Sequence, residues 1–221
     1  MKLEAVIFDF DGLILDTERA EFDSWSEIFV EHGVVLEFKE WAICIGTSGV
    51  FDPITHLEGL TGLKLDREAV KARAMEKDRR FLDDMKLLPG VIDRLDEAKL
   101  LGMKVGLASS SSDPWVHGNL REHGIFDRFE AIRTRTQVPN PKPAPDLFLA
   151  AAAALGVSPR HCVALEDSMN GIKSAKDAGM FCVAVPNGLT GQLDLSAADL
   201  KVASLADFSF KQVDALMEAR R

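Results

Sequence analysis

Residues 3–8 (LEAVIF) form a short apolar run that stops at Asp9-Phe10-Asp11-Gly12, the pattern of a buried strand delivering acids at its C-terminal tip. Three similar runs follow at 104–108 (KVGLA), 162–165 (CVAL) and 181–185 (FCVAV), each closed by polar residues or by Gly and Pro. Between them apolar residues recur at helical spacing: Val91, Leu95, Ala98 and Leu101, then Val116 and Leu120. The same spacing returns in Leu147, Phe148, Ala151 and Leu155, and again in Ile172, Ala175 and Ala178. Strand alternating with helix from residue 89 onward predicts a parallel sheet with crossover helices, hence a doubly wound α/β fold.

Residues 17–87 break that rhythm. No convincing strand occurs there. Phe22, Trp25, Ile28 and Phe29 stand at helical spacing, then come Trp41 to Cys44, then Ile54, Leu57 and Leu60, and finally the charged run 67–84. This reads as a helical module inserted into the α/β domain, with Leu88-Pro89-Gly90 as its exit. The expected division is a core of residues 1–16 and 88–221 and an inserted unit of 17–87. The charged run is expected to be a solvated helix face, and Cys44, Met75 and the aromatics of the insert to be core.

Composition adds exclusions. The 221 residues are 47% hydrophobic and 28% charged, ample for a packed core without disulfide or metal staples. With 26 basic against 35 acidic residues the formal net charge is −9, and no dense basic face is visible, which argues against nucleic acid as a partner. Three cysteines (Cys44, Cys162, Cys182) without a CxxC pattern, and five histidines never at zinc-ligand spacing to them, point to reduced thiols in a cytoplasmic protein. Neither a signal peptide nor a membrane span is expected. A monomer is expected.

Four strand tips or loops carry chemistry where doubly wound sheets bind ligands: Asp9 with Asp11, the serine run 109–112, Lys142 in a proline-flanked loop, and Glu166-Asp167. Four acids at one locus repel one another unless a cation sits among them, and oxygen-only donors favour a hard ion, Mg²⁺ where a phosphate is the partner. Lys142 and the serines supply donors for an anion, helped by the helix that opens at Asp113-Pro114. Glu166 and Asp167 are expected to cap the helix that runs from Ser168 as well as to bind metal. One acid suffices to satisfy a turn after a strand, so a pair bracketing Phe10 and followed by Gly12 points to function.

These motifs, in order Phe8-Asp9-Phe10-Asp11-Gly12 with Asp16-Thr17, Leu107-Ala108-Ser109, Lys142-Pro143, and Leu165-Glu166-Asp167-Ser168 with Gly171 and Ala178-Gly179, resemble the haloacid dehalogenase superfamily. The likeness is to its subfamily of β-phosphoglucomutase and small sugar-phosphate phosphatases, and it spans nearly the whole chain. It implies a Rossmann-like core with a helical cap over the active site and a small phosphorylated metabolite as substrate. Asp9 would be the nucleophile that becomes an aspartyl-phosphate, and Asp11 the acid and then the base. Mg²⁺ would be held by Asp9, the main-chain carbonyl of Asp11, and Asp167, with Glu166 beside it. Ser109, its neighbour Ser110 and Lys142 would bind the transferring phosphoryl group.

The chain departs from the mutase branch at its distal-phosphate contacts. The cap histidine of the mutases falls on Glu21, the cap arginine on Gly49, and the Lys-Asn pair after the serine motif on Ser112-Asp113. Glu21 and Asp113 would repel a second phosphate, which favours hydrolysis over mutase chemistry. Glu21 and Lys77 are the expected cap contacts to substrate. A phosphomutase is the alternative reading, and a non-enzymatic phosphoacceptor module of receiver type the more remote one, since such modules carry no helical insert of this size.

Overall fold

The computed structural model describes residues 3–47, 49–82 and 85–220, so Asp83 and Asp84 of the charged run lie outside the described residues. Six strands, β1 (Ala5–Phe8), β2 (Lys104–Ser109), β3 (Ala131–Thr134), β4 (Cys162–Glu166), β5 (Phe181–Ala184) and β6 (Leu200–Lys201), form one sheet. Its order is β3-β2-β1-β4-β5-β6, and every pairing is parallel. This is the doubly wound order that reverses between β1 and β4, where ligands bind beyond the strands' carboxyl ends. Phe8 stands opposite Leu107 on one side and Leu165 on the other, so the tips of β2, β1 and β4 end side by side.

Period-two alternation explains why both faces are covered. Val6 and Phe8 of β1 pack on one face with Val105, Leu107, Val163 and Leu165, under α5 (Val91–Leu100), α6 (Asp113–Glu122) and α9 (Phe210–Ala219). Ala5 and Ile7 point to the other face, with Ala108, Ala164 and Ala184, under α7 (Asp146–Leu155) and α8 (Met169–Asp177). Alanines on both sides of that second layer let α7 approach the sheet closely. The predicted strands and helices of the core are all present. The sequence reading missed β3, whose AIRT run is too short and too polar to signal a strand, the two-residue β6, and α9.

Between β1 and α5 lie α1 (Thr17–Glu31), α2 (Phe38–Trp41), α3 (Pro53–Thr61) and α4 (Arg67–Leu82), with no strand among the described residues. They gather around a core of their own, in which Ile28, Phe29, Trp41, Ile45, Leu57 and Ala74 are buried. Asp52 caps α3 by accepting from the backbone N–H groups of Ile54 and Thr55, 3.0 and 3.2 Å away. The expectation that Met75 is core is corrected. Ala74 is the one buried residue of α4, whereas Met75 is 66% exposed and faces the cavity described below.

Candidate active site

Asp9 follows β1 directly, and its backbone N–H is held by the Leu165 carbonyl of β4 at 3.0 Å. The next residues turn sharply: Gly12, at φ 80°, adopts a backbone that other residues rarely reach, and a Cβ there would overlap the Asp167 carboxylate. Asp9, Glu166 and Asp167 are all buried, and one carboxylate oxygen from each lies within 4.8 Å of the others. Lys142, fully buried, reaches into this group from its loop. Its Nζ donates to Asp9 Oδ1 and, at 2.5 Å, to Glu166 Oε1.

The electrostatics of this cluster follow from burial. Desolvation raises Asp9 from the ordinary carboxylate range to about 8 against the pull of Lys142, with Glu166 and Asp11 pushing the same way. Desolvation by itself would lower the Lys142 ammonium, but Asp9 and Glu166 more than offset it and hold the group above its usual value. Asp167 is pushed well up, by burial first and then by Asp9 and Glu166. One cation cannot neutralise three carboxylates. Asp167 Oδ1 is moreover buried with no hydrogen-bond partner, while Oδ2 accepts from Asn187 at 3.0 Å. A buried orphaned oxygen, two further carboxylates and no nitrogen or sulfur donor fit a hard divalent ion.

Each predicted residue can now be placed. The Asp11 carboxylate accepts from Thr17 Oγ1 (2.8 Å), Ser111 Oγ (2.6 Å), Trp115 Nε1 (2.9 Å) and Ser109 Oγ (3.3 Å). Ser109 is buried at the tip of β2, and its Oγ also accepts from the Ser111 N–H at 3.0 Å. Ser110 donates to the Gly46 carbonyl at 3.2 Å and so joins the core to the inserted helices. Glu21 opens into the cavity above the cluster, where the surrounding protein, then Asp78 and Asp11, raise it to about 7. Lys77 does not belong to the site. Its ammonium is spent on Glu27 (2.5 Å) and Glu31 (2.9 Å) of α1, and it lies outside the cavity.

Two further expectations are corrected. Asp113 does not face the cavity: Thr134 and Thr136 donate their hydroxyls to it, and these bonds hold its carboxyl below the usual range. The acids Glu166 and Asp167 do not cap α8. Ser168 does, accepting from the Gly171 N–H at 3.0 Å, while Glu166 Oε2 takes the N–H groups of Asp167 (3.2 Å) and Ser168 (3.3 Å) and the Ser168 hydroxyl (3.0 Å).

Sequence reasoning missed several contributors. Asn187 bridges Asp167 to the Gly12 carbonyl at 3.0 Å each, after β5. Glu18 is buried and accepts from the Gly46 N–H at 3.1 Å. Together with Thr47 donating to the Lys142 carbonyl and Asn170 donating to the Ile45 carbonyl at 2.9 Å, this draws residues 43–47 onto the core loops. Above the acids lies a cavity of about 640 Å³, lined also by Trp25, Trp41, Phe51, Met75, Asp78 and Arg135.

The glycine of α8 shows how closely the site is built. A Cβ at Gly171 would overlap the Glu166 carboxylate. Gly171→Ala is expected to displace Glu166 from Lys142 and to destabilise the protein by about 1–3 kcal/mol. Thermal unfolding checks this: the variant should melt lower, and a wild-type melting temperature would show that α8 does not fix Glu166.

A family model described as haloacid dehalogenase-like hydrolase matches residues 6–185. This chain belongs to that family. The "Putative phosphatase YhcW" of Bacillus subtilis is 48% identical over 205 residues, covering 93% of either chain. The β-phosphoglucomutase of the same organism is 35% identical over 219 residues, covering 95% of this chain and 93% of its own. The crystal structure of CbbY from Rhodobacter sphaeroides in complex with phosphate aligns with a TM-score of 0.73 at 29% identity, over 93% of this chain and 96% of that one. The chain is thus an enzyme of the haloacid dehalogenase-like hydrolases. No helix among the described residues is long and apolar enough to cross a membrane.

Proposed function

We propose that this hydrolase is a Mg²⁺-dependent phosphatase of small phosphomonoesters that works through an aspartyl-phosphate on Asp9. The observation that carries the reading is the buried group of Asp9, Glu166 and Asp167 around Lys142, with Asp11 at its edge and the cavity above. Asp9, Asp167 and Glu166 would hold the ion, whose charge offsets the repulsion between the carboxylates and the arriving phosphoryl oxygens.

A carboxylate oxygen of Asp9 attacks phosphorus, the bond to the leaving oxygen breaks, and Asp11 gives that oxygen its proton. Asp11 then takes a proton from water as the water oxygen attacks the same phosphorus, inorganic phosphate departs and Asp9 is restored. Trp115, Thr17 and Ser111 hold Asp11 in place between the two steps, and the buried Lys142 neutralises charge that gathers on the transferring oxygens. In this reading residues 17–87 are a cap that keeps bulk water from the first step and opens to admit it for the second.

A mutase is the second reading, because the β-phosphoglucomutase relative aligns over nearly the whole chain. Against it, Glu21 and Gly49 line the cavity where a second phosphate would need cationic partners. The deciding experiment follows phosphate release from p-nitrophenyl phosphate, then glucose 6-phosphate and free phosphate from β-glucose 1-phosphate with catalytic glucose 1,6-bisphosphate. We expect release that is lost in EDTA, restored by Mg²⁺ and inhibited by Ca²⁺, whose larger coordination shell misplaces Asp9. Full activity in EDTA would overturn the metal assignment, and isomerisation much faster than phosphate release would make the protein a mutase.

A further inference from the structure

We propose that Asp78, together with Glu21, determines specificity by charge: the cavity admits phosphomonoesters whose alcohol part is neutral and hydroxylated and rejects those that carry a second anion. This rests on the phosphatase reading and deepens it. Met75, Asp78 and Leu82 stand at i, i+3 and i+7 of α4, so one face of this helix looks into the cavity. Glu21 enters from α1, and Trp25, Trp41 and Phe51 complete the apolar wall.

Two groups of this wall lack partners among the described residues. The indole N–H of Trp41, a residue only 2% exposed, has no acceptor, and Asp78 Oδ1, itself buried, has no donor. An unpaired buried donor and an unpaired buried acceptor lining the same space are each costly unless a ligand satisfies them. Hydroxyl groups of a ligand can accept from a donor such as the first and donate to an acceptor such as the second. A phosphate or carboxylate can only accept, so it would leave Asp78 unpaired and set a second negative charge beside it.

The charges around this space reinforce the choice. Among the described residues the lining carries five acids, Asp9, Asp11, Glu18, Glu21 and Asp78, against the single basic residue Arg135. Arg135 comes from the opposite side, where its backbone N–H is tied to the Ser111 carbonyl, and it is not among the charges that act on Glu21 or Asp78. Desolvation first, and then the like charge of Asp11, raises Asp78 to about 6; desolvation, then Asp78 and Asp11, raises Glu21 to about 7.

The test compares two substrates of equal length that differ at one terminus, sorbitol 6-phosphate (a CH₂OH end) and 6-phosphogluconate (a carboxylate end). Phosphate release is measured with Mg²⁺ at pH 8, where both Glu21 and Asp78 are ionised. The wild type is expected to prefer the sorbitol ester by about tenfold or more in kcat/KM, the scale of like-charge rejection. Asp78→Asn should shrink that ratio by roughly tenfold, and Glu21→Gln should move it the same way. A wild-type ratio near one, or a ratio unchanged in both variants, would overturn the proposal. So would wild-type turnover of p-nitrophenyl phosphate with neither sugar derivative accepted. Absence of Mg²⁺-dependent turnover of p-nitrophenyl phosphate would instead remove the phosphatase reading on which the proposal stands.

Discussion

Asp9→Asn is expected to give a folded protein whose phosphatase turnover has fallen by at least about 10⁴-fold, the scale on which removal of a covalent nucleophile acts. The carboxamide has nearly the shape of the carboxylate and can still meet Glu166 and Lys142, so the packing at the tip of β1 survives. It has no anionic oxygen to attack phosphorus, and it is a poor ligand for a divalent ion. Because wild-type Asp9 is itself disfavoured as an anion by burial, the neutral amide should leave the melting temperature in EDTA equal to or above that of the wild type. Phosphate release under single-turnover conditions and a thermal melt check the two halves together. Turnover within tenfold of wild type in a protein free of contaminating phosphatase would end the nucleophile assignment.

Lys142→Met should damage both activity and stability. The ammonium is completely buried, bridges Asp9 and Glu166, and lies 5.0 Å from the centre of the Phe148 ring. Methionine fills much of the volume but leaves the carboxylates without a counter-ion. Breaking a buried ion pair from one side costs about 3–5 kcal/mol, which for a chain of this size lowers the melting temperature by roughly 6–20 °C in EDTA. Loss of the positive charge beside the transferring oxygens should cost about 10²–10³ in turnover even with Mg²⁺ present.

The stability defect should depend on pH with a definite sign. In the variant the buried acids relieve their repulsion by keeping protons that they give up on unfolding, so the native state binds more protons and stability falls as pH rises. Wild-type Asp9, raised from 3.8 to about 8, also keeps its proton below that value, so the two proteins lose stability in parallel from about pH 4 to 8 and part above about pH 8, where only the wild type has an ammonium beside the ionised Asp9. Melts at pH 6 and pH 9 in EDTA check this: the gap to the wild type should widen at pH 9. An equal gap at both pH values would mean that lost packing, not unpaired charge, accounts for the damage.

How much of this was readable beforehand varies with the physics of each element. Strands β1, β2, β4 and β5 announce themselves because a parallel strand covered on both faces must be apolar throughout, and each run is short and closed by polar residues or by Gly and Pro. Strand β3 sits at the sheet edge, where Ile132 and Arg133 are only half-buried, so its residues are not constrained to that pattern. The core acids were legible for a related reason. Asp9, Asp11, Glu166 and Asp167 each follow an apolar run, and charges at that boundary have a role that a loop does not require.

The cavity wall was not legible. The run 67–82 reads as a solvated helix, and most of it is, with Arg73, Lys77 and Arg80 paired to Glu27 and Glu31 on α1. Nothing local separates Lys77, which faces those glutamates, from Asp78 one residue on, which faces the cavity. One step along a helix is a turn of about 100°, and the direction of the zero mark is set by how α4 packs against α1. The same holds for Asp113: the resemblance to the mutases puts it beside a second phosphate, whereas Thr134 and Thr136 hold its carboxylate elsewhere.

Sequence alone therefore determined the sheet, the helical insert and the acids at the strand tips, because burial of a strand and repulsion between neighbouring carboxylates are written into adjacent residues. The tertiary structure decided that Lys142 sits between Asp9 and Glu166, that Asn187 steadies Asp167, and that Glu21 and Asp78 face the cavity while Lys77 and Asp113 turn away from it. Those facts depend on contacts between residues far apart in the chain, and on the rotation of each helix about its own axis. Only the packing of the inserted helices over the sheet fixes both.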